Sequence, residues 1–254
     1  MKQPISFKNR YGLTLRGFIS HPKRYDTAVI FLHGFPGSCH GFTAQRMITA
    51  LGKKHLALIF DFSHTNTSDG KFEDKLMSKE VSDIKSAIDF LEDNYSYRQL
   101  VIIGHSTGAI DASLYAHRDK RISKLVLMGA ESDTKHSVKY DFTDEQVYQF
   151  WTKGYIIYNK PGKWYHHKRL KKAFYDEFFT LDIPQAIKKF KQPLLIVHGE
   201  HDEAIPLSDP EELFRQANRP KKLVIIRGAD HRFNEPSQFQ KLITVIRLFI
   251  EHKF

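Results

Sequence analysis

Residues 100–108 read Leu100-Val101-Ile102-Ile103-Gly104-His105-Ser106-Thr107-Gly108, an apolar run that passes directly into a serine flanked by glycines. The run Leu100–Ile103 has the length and β-branched content of a strand that is buried on both faces of a parallel sheet. Ala109–Ala116 follows with a composition compatible with a helix. Glycines two residues before and two residues after Ser106 permit a sharp strand-to-helix turn, which presents the serine hydroxyl at the carboxyl end of the strand.

The rest of the chain repeats this alternation of strand and helix. Residues 3–20 alternate around the turn-forming stretch Asn9–Gly12, which predicts an opening antiparallel strand pair. Segments of helical period, such as Val81–Leu91 and Phe239–Phe249, separate the buried strands and predict an α/β fold, a mostly parallel sheet with helices on both faces. The further predicted strands are Ala28–Leu32, Leu56–Phe60, Leu125–Met128, Leu194–Val197 and Leu223–Ile226.

A length of 254 residues predicts a single domain (1–254). About sixty residues between Gly129 and Pro193 interrupt the alternation and are crowded with aromatic side chains. We interpret residues 131–190 as a small cap inserted over the strand ends. Aromatic side chains exposed there would serve a homodimer as well as a substrate, so the sequence leaves the oligomeric state open.

Two further segments place chemically active side chains after predicted strands. A serine hydroxyl needs a base, a group that orients the base, and donors for the oxyanion. Asp202 in His198-Gly199-Glu200-His201-Asp202 and His231 in Gly228-Ala229-Asp230-His231 each follow a strand. The order Ser, Asp, His is that of the α/β-hydrolase triad, so we predict Ser106 as nucleophile, His231 as general base and Asp202 as its partner. Asp133 is the alternative acid.

Other histidines compete with His231 for the role of base. We expect them to be structural or exposed, because none of them follows the last strand of the predicted sheet. They are His33, His105, His198, His166 and His167.

Backbone amides at two tight turns are the candidate oxyanion donors. The turn His33-Gly34-Phe35-Pro36-Gly37 follows the strand Ala28–Leu32, and its Phe35 N–H is one predicted donor. The N–H of Thr107, the residue after the nucleophile, is the other. The sequence has no H-E-x-x-H, G-x-G-x-x-G or P-loop motif, and neither a cofactor nor a metal is implied.

Composition limits the class of protein. Hydrophobic residues at 41% and charged residues at 27% are typical of globular chains. The single cysteine, Cys39, together with the absence of an apolar signal segment or membrane-length run, predicts a cytoplasmic protein without stable membrane insertion. The net charge of +10 is spread along the chain, so we expect solvated helix faces and no nucleic-acid partner.

The motifs His33-Gly34-Phe35, Gly104–Gly108, His198–Asp202 and Gly228–Phe233 resemble the α/β-hydrolase superfamily from about residue 5 to the end of the chain. Within that superfamily, Asp61–Glu73 resembles a loop of bacterial cinnamoyl and feruloyl esterases, although Ser63-His64-Thr65 stands where those enzymes usually carry Gly-His-Gly.

The resemblance implies an esterase that hydrolyses a small-molecule ester, such as a hydroxycinnamoyl ester, through an acyl-enzyme. A monoacylglycerol or lysophospholipid lipase, a thioesterase, a peptidase and a carbon–carbon bond hydrolase remain alternatives, because the same triad serves several chemistries. A ligand-binding protein on a hydrolase scaffold is a further alternative.

Overall fold

An eight-stranded mixed sheet organises the chain, and the computed structural model describes residues 2–251. The opening strand pair is antiparallel, as predicted, and its second strand also pairs antiparallel with the strand Leu56–Asp61. All other neighbouring strands of this sheet run parallel. The spatial order is β1-β2-β4-β3-β5-β6-β9-β10. The strands are β1 (Gln3–Lys8), β2 (Thr14–Ser20), β3 (Thr27–Leu32), β4 (Leu56–Asp61), β5 (Gln99–His105), β6 (Ile122–Met128), β9 (Leu194–Gly199) and β10 (Lys221–Ile226), with β7 (Tyr155–Ile157) and β8 (Arg169–Lys171) forming a separate antiparallel pair.

Helices cover both faces of the sheet, because alternate residues of its central strands face opposite sides. In β3, Val29 and Phe31 belong to one apolar cluster, whereas Ile30 and Leu32 belong to the other. The first cluster includes residues of α1 and α9, and the second includes residues of α2, α3, α7 and α8. The helices are α1 (Phe42–Leu51), α2 (Met77–Asn94), α3 (Thr107–Ala116), α4 (Lys135–Asp141), α5 (Asp144–Lys153), α6 (Lys172–Glu177), α7 (Ile183–Lys189), α8 (Ser208–Gln216) and α9 (Pro236–Glu251).

The segment between β6 and β9, which we call the cap segment (residues 131–190), contains α4 to α7 and the β7–β8 hairpin. Many of its aromatic side chains pack on one another instead of facing a pocket. Phe174 also contacts Phe35, in the turn after β3, at 4.7 Å between ring centroids. The mutually packed rings are Phe142, Phe150, Phe174, Tyr175 and Phe178.

None of the helices between residues 2 and 251 combines the length and the apolarity needed to cross a bilayer.

Burial along α9 predicts a contrast in stability between two leucines of the same helix. Leu242 is fully buried and Leu248 is 51% exposed. We expect Leu242→Ala to lower the free energy of unfolding by about 2–5 kcal/mol, because it leaves a cavity against the sheet. Leu248→Ala should change it by about 0.5 kcal/mol or less. Urea denaturation of both variants measures the difference, and equal losses would contradict the assigned packing of α9.

Candidate active site

Ser106 lies on a strained turn between β5 and α3. Its backbone angles, φ 57° and ψ −129°, fall in a region that residues with a side chain rarely adopt. Its N–H donates to Met128 O at 3.0 Å, which ties the turn to β6. A Cβ at Gly104 would lie 2.3 Å from Gly108 O, and one at Gly108 would lie 2.4 Å from Leu32 O. Both positions therefore require glycine because neighbouring backbone comes too close for a side chain, and not only because the chain turns there.

Asp202 and His231 meet above the ends of β9 and β10. His231 Nδ1 lies 2.8 Å from Asp202 Oδ2, and both side chains are buried. The other carboxylate oxygen accepts the backbone N–H groups of Ala204 and Ile205, each at 2.9 Å. Burial tends to raise the pKa of Asp202, but its hydrogen bond with His231 and the charge of that histidine hold the pKa below its ordinary value. The carboxylate therefore stays ionised beside the imidazole.

His198, one of the competing histidines, lies behind Asp202. Its Nε2 is 3.0 Å from Ile205 O and 3.4 Å from Asp202 Oδ2, and its side chain is fully buried. Burial lowers the pKa of His198, so the imidazole is neutral and donates to the Ile205 carbonyl. This places it as a support for the loop that carries Asp202.

His105, the residue before Ser106, contacts the backbone of His231. Its Nε2 lies 2.9 Å from His231 O, and the two rings are 5.0 Å apart between centroids. Burial and the charge of His231 lower the pKa of His105 to about 3, so its imidazole is neutral and donates to the carbonyl. The turn that carries Ser106 and the loop that carries His231 are thereby joined by a direct hydrogen bond.

The two predicted oxyanion residues contact each other. Phe35 N–H donates to Thr107 Oγ1 at 2.6 Å. A Cβ at Gly34 would lie 3.3 Å from Ser106 Oγ, so the turn after β3 approaches the serine closely. The indole N–H of Trp164 donates to Pro36 O at 3.1 Å and attaches the cap segment to this turn.

A pocket of about 350 Å³ contains Ser106 and His231, a size within the range of small-molecule sites. Its aromatic lining comes partly from the sheet side and partly from the cap segment. A wider groove of about 740 Å³ lies between the β1–β2 turn and α2, but none of the predicted catalytic residues lines it. The aromatic residues that line the Ser106 pocket are Phe31, Phe35, Phe42, Tyr140, Trp164 and Tyr165.

Three charged residues of the pocket were missed by sequence reasoning: Asp141, Lys163 and Arg232. Burial raises the pKa of Asp141 to about 7, although the charges of His231 and Arg232 act in the opposite direction. The signals available in the sequence were a single acid within the aromatic run Tyr140-Asp141-Phe142 and an arginine directly after His231.

The remaining candidates make no hydrogen bond with Asp202 or His231 among the described residues, although His33 also lines the pocket. Asp133, the alternative acid, accepts Lys135 N–H at 3.0 Å in a local turn. His33 is buried and its Nδ1 lies 3.0 Å from Gly34 O, while burial lowers its pKa to about 4. The His166 and His167 rings of the cap segment contact each other at 3.7 Å between centroids, with their planes tilted by 33°.

One cluster in the described part of the chain has metal-ligand atoms within 4.8 Å of one another: Cys39, His40 and Asp61. Asp61 already accepts Cys39 N–H at 2.6 Å and the Thr67 hydroxyl at 2.7 Å. Burial, together with the charge of Asp61, raises the pKa of the Cys39 thiol. Through these hydrogen bonds, Asp61 connects the loop that contains Cys39 with the loop that contains Thr67.

Comparison with known protein families gives a match over more than half of the chain. The α/β hydrolase fold family matches residues 27–161, which include Phe35, Ser106 and Thr107.

Individual relatives have low sequence identity to this chain, but the matches to them cover most of its length. The chain is 25% identical to the bifunctional esterase/perhydrolase DCH of Acinetobacter calcoaceticus, over 81% of this chain and 86% of that protein. It is 23% identical to human mitochondrial palmitoyl-protein thioesterase ABHD10, over 96% of this chain and 79% of that protein. Among solved structures, Est1E of Butyrivibrio proteoclasticus with bound ferulic acid superposes with a TM-score of 0.81 at 22% identity, covering 97% of each chain.

Gly129 provides a test of how His231 is positioned. It adopts φ +52°, and a Cβ there would lie 2.9 Å from His231 Cε1 and 3.4 Å from Asp202 Oδ2. We expect Gly129→Ala to displace the imidazole and to slow the labelling of Ser106 by a fluorophosphonate by about 10–100-fold. The measurement is the labelling rate of the purified protein.

Gly162→Ala is the matched control, because Gly162 also has a positive φ, +78°, but has open space around it. It should share the backbone strain and keep the labelling rate. Equal rates in the two variants would show that Gly129 does not hold His231 in place.

Proposed function

Because this chain belongs to the α/β hydrolase fold family, we propose that it is a serine esterase that acts through an acyl-enzyme formed on Ser106. One observation carries the proposal: Ser106, on its strained turn, shares a pocket with His231, whose Nδ1 lies 2.8 Å from the Asp202 carboxylate. A serine, a base and an oriented acid are the three groups that nucleophilic attack on an ester requires.

The proton path follows from the hydrogen bonds of His231. Its Nδ1–H is donated to Asp202, which leaves Nε2 unprotonated and able to accept the Ser106 proton as the hydroxyl attacks the ester carbonyl. The imidazolium then protonates the departing alcohol. Water repeats the sequence on the acyl-enzyme, with His231 as base, and releases the acid. Asp202 stabilises the imidazolium and keeps the ring in one tautomer.

In this proposal the oxyanion accepts hydrogen bonds from two backbone amides, Phe35 N–H and Thr107 N–H. The first currently donates to the Thr107 hydroxyl. An oxyanion is a stronger acceptor than a hydroxyl, because a charged partner roughly doubles the strength of a hydrogen bond. The Phe35 N–H would therefore donate to the oxyanion in place of the Thr107 hydroxyl. Before the reaction, the hydrogen bond to that hydroxyl keeps the amide oriented.

An aryl acyl group suits the pocket better than a flexible chain does. Phe35, Tyr140, Trp164 and Tyr165 surround the space near Ser106 with flat apolar surfaces. Asp141 adds a carboxyl group to the same wall, and a phenolic hydroxyl would donate to it when it is ionised. We therefore propose hydroxycinnamoyl esters as substrates. The structural likeness to an esterase solved with ferulic acid supports this choice.

A thioesterase is the second candidate. The similarity to a palmitoyl-protein thioesterase extends over 96% of the chain, and the same nucleophile and base attack a thioester carbonyl. Relative rates on a hydroxycinnamoyl ester and on an acyl thioester of matched chain length would separate the two activities.

Ser106→Ala tests the nucleophile. We expect hydrolysis of p-nitrophenyl butyrate to fall by about 10⁴-fold or more, and fluorophosphonate labelling to disappear, because no other side chain replaces the attacking oxygen. Ser86→Ala on α2, outside this pocket, should keep both properties.

Two results would overturn the proposal. Labelling that persists in Ser106→Ala would assign the nucleophile to another residue. Labelling of the wild-type protein without turnover of any ester would identify a ligand-binding protein on a hydrolase scaffold.

The position and raised pKa of Asp141 predict that the preference for a phenolic acyl group depends on pH. Its pKa of about 7 means that it is protonated below that pH and ionised above it. The ionised carboxylate accepts a phenolic O–H more strongly, so kcat/KM for methyl 4-hydroxycinnamate relative to methyl cinnamate should rise by about tenfold as pH increases through this value. Any effect of pH on the chemical step that the two esters share cancels in the ratio.

Asp141→Asn should make the ratio independent of pH, because the amide does not titrate in this range. Asp144→Asn, an exposed neighbour on α5, should retain the wild-type dependence. A ratio that is flat in the wild-type protein would refute phenol recognition by Asp141.

A further inference from the structure

The rim of the Ser106 pocket carries two exposed cations, Lys163 from the cap segment and Arg232 from the loop after β10. Among the salt bridges of residues 2–251, neither side chain has a carboxylate partner. Two other cations of the cap segment are paired, Lys171 with Asp74 at 2.5 Å and Arg169 with Glu73 at 3.8 Å. The two positive charges at the rim are therefore available to a ligand.

The guanidinium of Arg232 acts on the groups that line the pocket. Burial raises the pKa of Asp141, Tyr140 and Tyr165, and in each case the charge of Arg232 is among the influences that lower it. Three separate groups on the cap-segment wall thus experience this charge. Arg232 therefore lies within electrostatic range of this wall as well as lining the pocket, although it is exposed to solvent.

The carboxylate of Glu203 lies outside the pocket lining, where it accepts the hydroxyl of Tyr140 at 3.3 Å and the backbone N–H of His231 at 3.1 Å. Asp141 is the one acid among the described residues that line the pocket, and its raised pKa leaves it partly neutral near neutral pH. A concave site with one sign of charge and apolar walls concentrates ligands of the opposite sign. The exposed ring of Phe42 and the amide of Asn234 lie on the same rim and offer apolar and polar contact to the body of such a ligand.

We propose that Arg232 and Lys163 form a subsite for an anionic group, a carboxylate or a phosphate, carried by the substrate outside the aromatic part of the pocket. The subsite determines specificity and does not take part in bond breaking. It rests on the proposed ester hydrolysis at Ser106. The anionic group belongs either to the acyl part of the ester or to the leaving alcohol, and the test below has one arm for each.

Two pairs of esters compare a charged substrate with a neutral one. Mono-p-nitrophenyl succinate and p-nitrophenyl butyrate differ by a carboxylate on the acyl part. 4-Carboxyphenyl butyrate and phenyl butyrate differ by a carboxylate on the leaving group. The quantity measured is the ratio of kcat/KM, charged to neutral, within each pair. Differences in intrinsic reactivity cancel when this ratio is compared between protein variants.

The double variant Arg232→Gln, Lys163→Gln should lower the charged-to-neutral ratio by about tenfold in one arm, because two solvent-exposed ion pairs each contribute a few-fold. Lys160→Gln removes the same charge per site from an exposed neighbour that does not line the pocket, and should leave the ratio unchanged. In the wild-type protein, raising the ionic strength should lower the ratio, since salt screens exposed charges. This last measurement needs no substitution and stands even if the variant folds poorly.

The two levels of the proposal fail in different ways. Unchanged ratios in both arms for the double variant, with the neutral esters hydrolysed normally, would overturn the anionic subsite alone. Failure of the wild-type protein to hydrolyse any of the four esters would overturn the proposed function itself.

Discussion

The arrangement depends on the turn at Ser106, where a residue with a side chain is held at φ 57°. Such a conformation costs on the order of 1–3 kcal/mol and persists only where the surrounding structure imposes it. Here the constraints are the backbone approach of Gly104 to Gly108, the approach of Gly108 to Leu32 O, and the hydrogen bond from Ser106 N to Met128 O. Strands β3, β5 and β6 together hold the hydroxyl at the carboxyl end of the central strands.

A chain of buried hydrogen bonds extends that constraint to the other proposed catalytic groups. His105 donates to the His231 carbonyl, His231 donates to Asp202, and Asp202 accepts two amides of its own loop. The histidines around this chain are neutral, since burial lowers the pKa of His105 and His198. The Asp202 carboxylate therefore accepts a hydrogen bond from one imidazole, that of His231. This hydrogen bond keeps the His231 proton on Nδ1 and so selects a single tautomer.

The cap segment has two parts with different roles. Many of its rings, such as Phe150 and Phe178, are buried among other rings of the segment and belong to the same apolar cluster as one face of the sheet. A smaller group, Tyr140, Trp164 and Tyr165, lines the pocket together with Asp141 and Lys163. The aromatic richness of the segment therefore reflects its folding, and a few of its side chains are available for substrate.

The sequence by itself determined the α/β fold, the order of strands and helices, and the strand-end positions of Ser106, Asp202 and His231. These follow from local patterns: apolar runs, helical periodicity and the spacing of glycines around one serine. Only the tertiary structure decided that Asp141, Lys163 and Arg232 line one pocket with Ser106, and that Phe35 N–H donates to Thr107. The positions of Asp141 and Lys163 depend on how the irregular cap segment packs on the sheet. These contacts, like that between Phe35 and Thr107, join residues far apart in the chain, which no local pattern records.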